Sequence, residues 1–327
     1  MSAFKLKFAM LTTLAAIIGL STLFITIILS LLGALNLITL GVSVLFVNLL
    51  QWLIAPYIID AIYNTKKVSR VEEPELYEIV ERLSAKSGIK TPELRIANIQ
   101  IPNAFAYGSP LTGNRVAVTT GLLKTLNLDE VEAVIGHEIG HLKHRDVQVM
   151  MFVSLLPAIF YYIGYSLMWS SMYYGYGGGR RDRGGNGGLL ALIGLLSIAV
   201  YWILTLFTLY LSRLREYYAD RHSATVVPGG ARKLALGLIK IVESTTRLRR
   251  RYGNLGSLSS FRALFISDPE NSEKETITLS REGILRSESD LIYEYTRRRV
   301  TFAEQLAELF STHPNIIKRL RALQELM

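Results

Sequence analysis

The sequence predicts a mainly α-helical membrane protein with four transmembrane helices and an α+β domain that carries a small β-sheet. Long uncharged stretches indicate the membrane helices, and they cover residues 8–59, 147–179 and 184–212. Nearly all of the charge lies in the two remaining blocks, 60–146 and 213–327. Because these blocks combine alternating and helical patterns of apolar residues, we expect them to form the α+β domain.

The first uncharged stretch is long enough for two membrane helices. It has 52 positions, and one crossing of a bilayer needs about 20 apolar residues. Gly33-Ala34-Leu35-Asn36 is the natural turn between the two helices. A secretory signal followed by a mature helix would also account for Lys5 and Lys7, but this apolar run is too long and lacks a clear small-residue cleavage site.

The other two uncharged stretches predict a second pair of membrane helices, joined by a loop rich in glycine and arginine at 177–188. The alternative is an apolar hairpin buried in a large soluble domain, and Pro157 weakens the third crossing. Four crossings place both termini on one side. Lysines and arginines flank the helices there, which predicts that this side is cytoplasmic, although three arginines lie in the opposite loop.

Composition limits the chemistry that the chain can perform. It has no cysteine, which excludes disulfides, iron–sulfur clusters and thiol catalysis, so any zinc site must use histidine and carboxylate ligands. The net charge is 36 − 27 = +9. Beside long apolar stretches, this balance favours an anionic membrane surface over nucleic acid as the partner. The densest basic runs are Arg247, Arg249 to Arg251, and Arg297 to Arg299.

The charged blocks contain recognisable helices and strands. Helical periodicity covers Pro74 to Lys86, and Leu94–Ile101 and Arg115–Thr119 have the character of strands, the latter after a turn signal at Gly113-Asn114. A further helix is expected to open at Leu128 and to run through the 140s. The predicted segments are a transmembrane hairpin 1–60, the first part of the domain 61–146, a second hairpin 147–212, and the rest of the domain 213–327.

The first of the motifs that carry chemistry is His137-Glu138-Ile139-Gly140-His141, an H-E-x-x-H sequence. On a helix, positions i and i+4 share a face, so both imidazoles can reach one metal ion. The glutamate is rotated by about 100° from His137 and stays free to act as a general base. A surface helix with two histidines is the alternative, but three of the five histidines of the chain lie within 137–144.

A catalytic zinc ion needs a third protein ligand. A third histidine six residues after His141 is excluded because position 147 is Val147, and we predict that His144 is not a ligand. Glu216 and Asp220 share a helix face just beyond the fourth membrane helix, so one can bind metal while the other orients a ligand. If the second pair of membrane helices is an antiparallel hairpin, these carboxylates emerge beside His141.

Together these motifs resemble the HtpX-type integral-membrane zinc metalloproteases, which are related to the CAAX prenyl endoproteases. Two further segments strengthen the resemblance. Asn103-Ala104-Phe105-Ala106 is similar to the N-A-F-A strand region of that family, and Ser311-Thr312-His313-Pro314 followed by Arg319 is similar to its S-T-H-P motif. The resemblance covers most of the chain, although the polar segment 267–290 does not map onto the family pattern.

The resemblance implies a zincin-like (gluzincin) catalytic domain with one Zn²⁺ per chain. In this reading His137, His141 and Glu216 are the metal ligands, Glu138 is the general base, and Asp220 orients a ligand. It also implies that His313 and Arg319 lie near the substrate carbonyl. The edge strand that contains Asn103, Ala104, Phe105 and Ala106 would then bind an extended polypeptide. Without the resemblance, His313 before a proline would be read as a loop residue.

The expected activity is hydrolysis of peptide bonds in membrane or misfolded proteins at the cytoplasmic face of the cell membrane, a role in quality control. One alternative is a processing protease for lipidated protein termini. Another is a scaffold or chaperone with a zinc site, but such a protein would not need Glu138. A transporter would require ionisable residues inside the membrane stretches, and the sequence has none there.

Overall fold

The computed structural model describes residues 37–176, 187–252 and 288–327. The first predicted membrane helix, the turn at Gly33–Asn36, nearly all of the loop at 177–188 and most of the segment 267–290 lie outside the described residues. Within them the protein is mainly helical and contains one small sheet. In chain order the elements are α1 (Leu37–Ile62), β1 (Thr65–Lys67), α2 (Pro74–Ser87), β2 (Glu93–Ala97), β3 (Ala104–Ser109), β4 (Gly113–Thr119), α3 (Thr120–Thr125), α4 (Leu128–Lys143), α5 (Asp146–Tyr176), α6 (Gly187–Val226), α7 (Gly230–Tyr252), α8 (Glu288–Arg297), α9 (Phe302–Leu309) and α10 (Ile316–Gln324).

Three of the described helices are long and apolar enough to cross a membrane. The candidate spans are Leu45–Ile62 in α1, Asp146–Met172 in α5 and Gly188–Val226 in α6. They correspond to three of the four predicted membrane helices. Pro157, which weakened the sequence prediction, lies inside the continuous helix α5. Large apolar side chains on all three helices are exposed, as expected for surfaces that face lipid.

The chain divides into two compact units. One contains the described parts of 1–51 and 148–211, and the other contains the described parts of 52–147 and 212–327. The divisions along the chain fall at 51/52, 147/148 and 211/212. The second unit holds the whole sheet and both charged blocks.

The sheet has the strand order β1-β2-β4-β3, with β2 parallel to β4 and the other two pairs antiparallel. Strand β2 ends at Ala97, earlier than the predicted Ile101. The turn between β3 and β4 lies at 110–112 rather than at Gly113-Asn114, because Gly113 (φ 70°) already pairs with Ser109. Strand β3 therefore forms one edge of the sheet and begins at Ala104.

A carboxylate at the end of α1 ties that helix to the sheet. Asp60 accepts hydrogen bonds from the hydroxyls of Thr65 and Tyr107, each at 2.5 Å. It also pairs with Arg95 at 3.1 Å and with Arg115. Because this polar cluster is largely shielded from water, it fixes the point at which the chain passes from a candidate membrane helix into the sheet.

Helix α4, which carries the H-E-x-x-H motif, lies at the centre of the main core. It packs against α2 and α7 on its sides and against the sheet at β3 and β4. Its buried apolar residues follow the helical spacing that the sequence indicated. The core residues contributed by the packed helices include Leu76, Ile79, Leu83, Val131, Val134, Ile135, Ile139, Leu234, Leu238, Ile239, Ile317 and Leu320.

Gly121 at the start of α3 provides a test of this packing. A Cβ atom at this position would lie 2.2 Å from the carbonyl oxygen of Gln100, and the Gly121 N–H donates to the neighbouring carbonyl of Ile99 at 2.9 Å. We expect Gly121→Ala to lower the free energy of unfolding by about 1–3 kcal/mol, the usual cost of overpacking an interior.

Gly237 in α7 is the matched control, because a Cβ atom there would have its nearest neighbour at 3.5 Å. Gly237→Ala should leave stability unchanged or raise it by up to about 1 kcal/mol, since alanine favours the helix. Denaturant unfolding of both variants in detergent, followed by circular dichroism, measures the difference. Equal stabilities would contradict the close approach at Gly121.

Candidate active site

The two histidines of the H-E-x-x-H motif lie one turn apart on α4. That helix begins with a capping box, in which the side chains of Asn127 and Glu130 bond each other's backbone N–H groups. Both imidazoles turn to the same side, and the Nε2 atoms of His137 and His141 are 3.1 Å apart. His137 is fully buried, and His141 is partly exposed.

Two glycines allow α6 to approach this face of α4. A Cβ atom on Gly140 would lie 3.1 Å from the Cα atom of Ala219, and one on Gly136 would lie 3.2 Å from the Ser223 hydroxyl. That hydroxyl also donates to a backbone carbonyl of α4 at 2.6 Å. Because the helices are in backbone contact here, Glu216 on α6 reaches both histidines.

Glu216 completes a group that could hold a metal ion. One carboxylate oxygen is 3.6 Å from His141 Nε2, and the other is 3.7 Å from His137 Nε2. One donor atom from each of the three residues lies within 4.8 Å of the others. The structure therefore brings together the three residues that the sequence singled out as ligands, on two separate helices.

A carboxylate lies behind each histidine. Asp220 Oδ1 is 2.9 Å from His137 Nδ1, and Asp146 Oδ2 is 2.6 Å from His141 Nδ1. Since a carboxylate can only accept, His141 Nδ1 donates to Asp146, whereas His137 Nδ1 lies beside Asp220 without a hydrogen bond of good geometry. Both Nε2 atoms are thereby directed to the centre of the group. Asp146 in turn pairs with Arg215. Sequence analysis identified Asp220 but missed Asp146, which opens the next helix five residues after His141.

The local electrostatics fit a bound cation. Burial alone would lower the pKa of His141, but the hydrogen bond to Asp146 and the charges of Glu216 and Glu138 raise it to about 9. The Nε2 atoms of the two histidines lie 3.1 Å apart, and Glu216 Oε2 is buried without a hydrogen bond of good geometry. Two imidazoles and one carboxylate are a ligand set that catalytic zinc uses.

Glu138 lies next to this group but points to the sheet. It is 4% exposed, and the backbone N–H of Ala106 in β3 donates to its carboxylate. Burial raises the pKa of Glu138 above its ordinary value, and the nearby histidines offset that effect only in part. A carboxyl group with a raised pKa exchanges protons more readily near neutral pH than an exposed one.

The late S-T-H-P motif also reaches the site. His313 Nε2 is 3.6 Å from Glu216 Oε1, and His313 Nδ1 lies 3.0 Å from the Thr312 hydroxyl. Arg319 is only 1% exposed and donates to both oxygens of Asp220, at 2.9 and 2.6 Å. It also lies 3.1 Å from Glu216. Its guanidinium therefore contacts the carboxylate behind His137 and the carboxylate of Glu216.

The N-A-F-A segment forms the start of the edge strand. Asn103 is buried, and its backbone exchanges hydrogen bonds with Thr119 in β4, both at 2.9 Å. Phe105 packs against Tyr63 in a second, smaller apolar cluster. Since bonded pairs alternate along antiparallel strands, the backbone groups of Ala104 and Ala106 point to the unpaired edge of the sheet, where Ala104 is buried and Ala106 is partly exposed.

His144 stands apart from the group, as the sequence indicated. It is exposed at the C-terminal end of α4, and its ring lies 5.9 Å from that of His222. His222 Nε2 is 2.9 Å from the hydroxyl of Ser87 on α2. Both histidines therefore belong to the packing of α4 and α6, on the side away from Glu216.

Comparisons with known proteins agree with this geometry. The family model described as peptidase family M48 matches residues 70–327. The protease HtpX homolog of Aeropyrum pernix is 40% identical over 278 residues, 85% of this chain and 82% of that protein. The corresponding homolog of Picrophilus torridus is 35% identical over 335 aligned positions, 99% of this chain and 98% of that protein.

One solved structure, the crystal structure of S. mikatae Ste24p, has a similar fold. Its TM-score is 0.58 at 19% identity, over 98% of this chain and 66% of that one. Family M48 is zinc-dependent, in agreement with the ligand set described above. The chain therefore belongs to peptidase family M48 and is a zinc-dependent metallopeptidase of the HtpX type.

Proposed function

We propose that this chain is a membrane-embedded endopeptidase in which His137, His141 and Glu216 hold one zinc ion and Glu138 is the general base. The observation that carries the assignment is the buried convergence of these three donors from two helices, with the carboxylate of Glu138 beside them. Zinc supplies Lewis acidity, which activates water and polarises a carbonyl group. The side chains of the protein would transfer the protons and position the substrate.

Glu138 is the group that moves protons. Its raised pKa suits a carboxylate that accepts a proton from the attacking water and then gives it to the leaving amine. The hydrogen bond from the backbone of Ala106 holds the carboxylate at the edge of the sheet, where an extended substrate would lie. His313 faces the same space and can donate to the oxygen of the reacting carbonyl.

Arg319 has a different role from the one implied by the resemblance. Because its guanidinium is buried and engaged by Asp220 and Glu216, we assign it to positioning rather than to contact with the substrate carbonyl. It neutralises the carboxylate behind His137 and limits the charge on Glu216. Arg215 does the same for Asp146, behind His141. The two arginines set how strongly each ligand donates to the metal.

The edge strand β3 is the proposed binding surface for the polypeptide substrate. An extended chain can add to this edge through the outward backbone groups of Ala104 and the carbonyl of Ala106. Phe105 supports the strand from the core side and does not reach the substrate. Recognition through the backbone is largely independent of sequence, which suits a protease that removes many different misfolded proteins.

We propose that the protein crosses the membrane four times, through the three candidate spans and one further helix that precedes them. We propose a multi-pass protein of the cell membrane with a gluzincin-like catalytic domain on the cytoplasmic face, built from 61–146 and 213–327. The substrates are membrane or misfolded proteins, in a quality-control role. Processing of lipidated termini is the alternative enzyme function, and a scaffold with a zinc site is the alternative without catalysis.

Glu138→Gln is the first test. We expect zinc content near that of the wild type and a loss of casein hydrolysis of at least about 10²-fold, because the amide cannot take a proton. The matched control is Glu132→Gln, a buried glutamate on the same helix that pairs with Arg82. Zinc analysis and hydrolysis by the detergent-purified proteins measure both. Activity retained in Glu138→Gln would exclude its assignment as the base.

Asp146→Asn tests the carboxylate behind His141. An amide accepts more weakly than a carboxylate, so the imidazole loses its orientation and basicity, and zinc affinity should fall by about 10- to 100-fold. Competition with a fluorescent zinc chelator measures the affinity. The control is Asp129→Asn, an exposed aspartate on α4 that pairs with Lys233. Equal zinc affinities for the two variants would show that Asp146 does not support metal binding.

Backbone N-methylation of a model peptide tests binding at β3. Methyl groups on N–H groups that face the strand should lower kcat/KM by roughly two- to tenfold each, the value of one hydrogen bond. Methylation at the alternate positions, which face away, is the control because side chains and net charge stay the same. A loss that does not alternate along the peptide would rule out strand addition.

A further inference from the structure

Helix α9 has its polar and apolar faces reversed with respect to the domain it packs on. Phe302, Leu306 and Leu309 follow one stripe of the helix and are 74%, 45% and 47% exposed. No residue of the helix is buried. A surface helix of a soluble domain would turn this apolar stripe inwards, so the exposed side of α9 is not adapted to water.

The acidic residues of α9 face the protein instead. The side chain of Glu304 is 12% exposed and pairs with Arg298 at 2.6 Å. The side chain of Glu308 is 10% exposed, pairs with Lys318 at 2.5 Å and accepts from a backbone N–H at 3.2 Å. Both carboxylates are fully satisfied on the inner side, which holds the apolar stripe outwards.

An arginine at the end of a candidate membrane span anchors α9. Arg213 is the first charged residue after the uncharged stretch 184–212 of α6. Its guanidinium donates to the carbonyls of Glu308 and Ser311 at 2.8 Å each, and to that of Leu309 at 3.3 Å. The end of α9 is therefore held at the level where the apolar part of α6 ends, which is where a bilayer surface would lie.

Positive charge precedes the helix. Arg297 and Arg299 are exposed, and the guanidinium of Arg297 lies 5.2 Å from the centroid of the Tyr293 ring. This is one of the two dense basic runs in the sequence, and the proposed catalytic chemistry does not use it. An apolar stripe flanked by arginines and by an amphipathic tyrosine is the composition of helices that lie on anionic membranes.

We propose that α9 is an interfacial helix that lies on an anionic lipid surface, with Phe302, Leu306 and Leu309 in the boundary between headgroups and acyl chains. Arg297 and Arg299 contact the lipid phosphates. The chain runs directly from α9 through Ser311 to His313, and Arg213 bonds both α9 and Ser311. Contact with the bilayer therefore fixes the position of the loop that presents His313.

Because the chain has no cysteine, single labels can test this contact. Leu306→Cys carries a polarity-sensitive NBD label. Leu128→Cys carries the same label as the control, because Leu128 has a similar exposure (43%). Leu128 is the first residue of α4, and α5 begins just after the other end of α4. Each protein is placed alone in a nanodisc of phosphatidylglycerol and phosphatidylcholine, where both faces are open to solvent. Iodide reports exposure to water, and doxyl-labelled lipid reports contact with acyl chains.

The label at 306 should be quenched by doxyl lipid and should show a roughly threefold lower iodide quenching constant than the label at 128. Iodide quenching equal to that at 128 would overturn the proposal. Protection from iodide without doxyl quenching would also overturn it, because protein would then cover α9. The double variant Arg297→Gln/Arg299→Gln, labelled at position 306, should lose the increase in doxyl quenching that phosphatidylglycerol causes. If the increase is unchanged, the two arginines do not bind the lipid phosphates.

Discussion

The buried ion pair between Arg319 and Asp220 is the interaction on which the geometry of the site depends. A guanidinium that is 1% exposed is tolerated only where its charge and its donors are matched, and Asp220 matches it with two hydrogen bonds while Glu216 adds a second carboxylate. The pair joins α10 to α6, and the contact of Asp220 with His137 extends it to α4. Removing the arginine would leave the buried carboxylates of Asp220 and Glu216 with only the histidines beside them as positive partners.

The same arrangement occurs twice around the site. His137 is backed by Asp220 and Arg319, and His141 is backed by Asp146 and Arg215. In each of these two sets an arginine neutralises the aspartate. The aspartate therefore orients the histidine without adding uncompensated negative charge to the site. Arg215 is engaged by Asp146, and Arg319 is shared between Asp220 and Glu216, so Arg319 compensates only part of the negative charge beside the two histidines. The electrostatics of the unloaded site thus favour a divalent ion.

The ligands could be predicted from the sequence because they depend on local geometry. His137 and His141 are one helical turn apart, and Glu216 was predicted on the assumption that the two membrane helices between the motifs form an antiparallel hairpin. The role of Asp146 could not be predicted in the same way. Asp146 reaches His141 because Arg145 adopts a left-handed conformation (φ 54°) between α4 and α5. The burial of Arg319 could not be predicted from the sequence either, because arginines are usually exposed. Its partner Asp220 precedes it by 99 positions in the chain.

The site is also continuous in the chain with a helix that is expected to cross the membrane. Glu216 and Asp220 lie within the continuous helix α6, a few residues beyond its uncharged stretch, and no loop separates them from it. His141 is joined to α5 by a turn that ends at Arg145. A helix transmits rotation about its axis to all of its side chains, so Glu216 and Asp220 keep their spacing on α6 whatever the orientation of that helix. The proposed third ligand and the carboxylate behind His137 are therefore placed as a pair by one continuous helix.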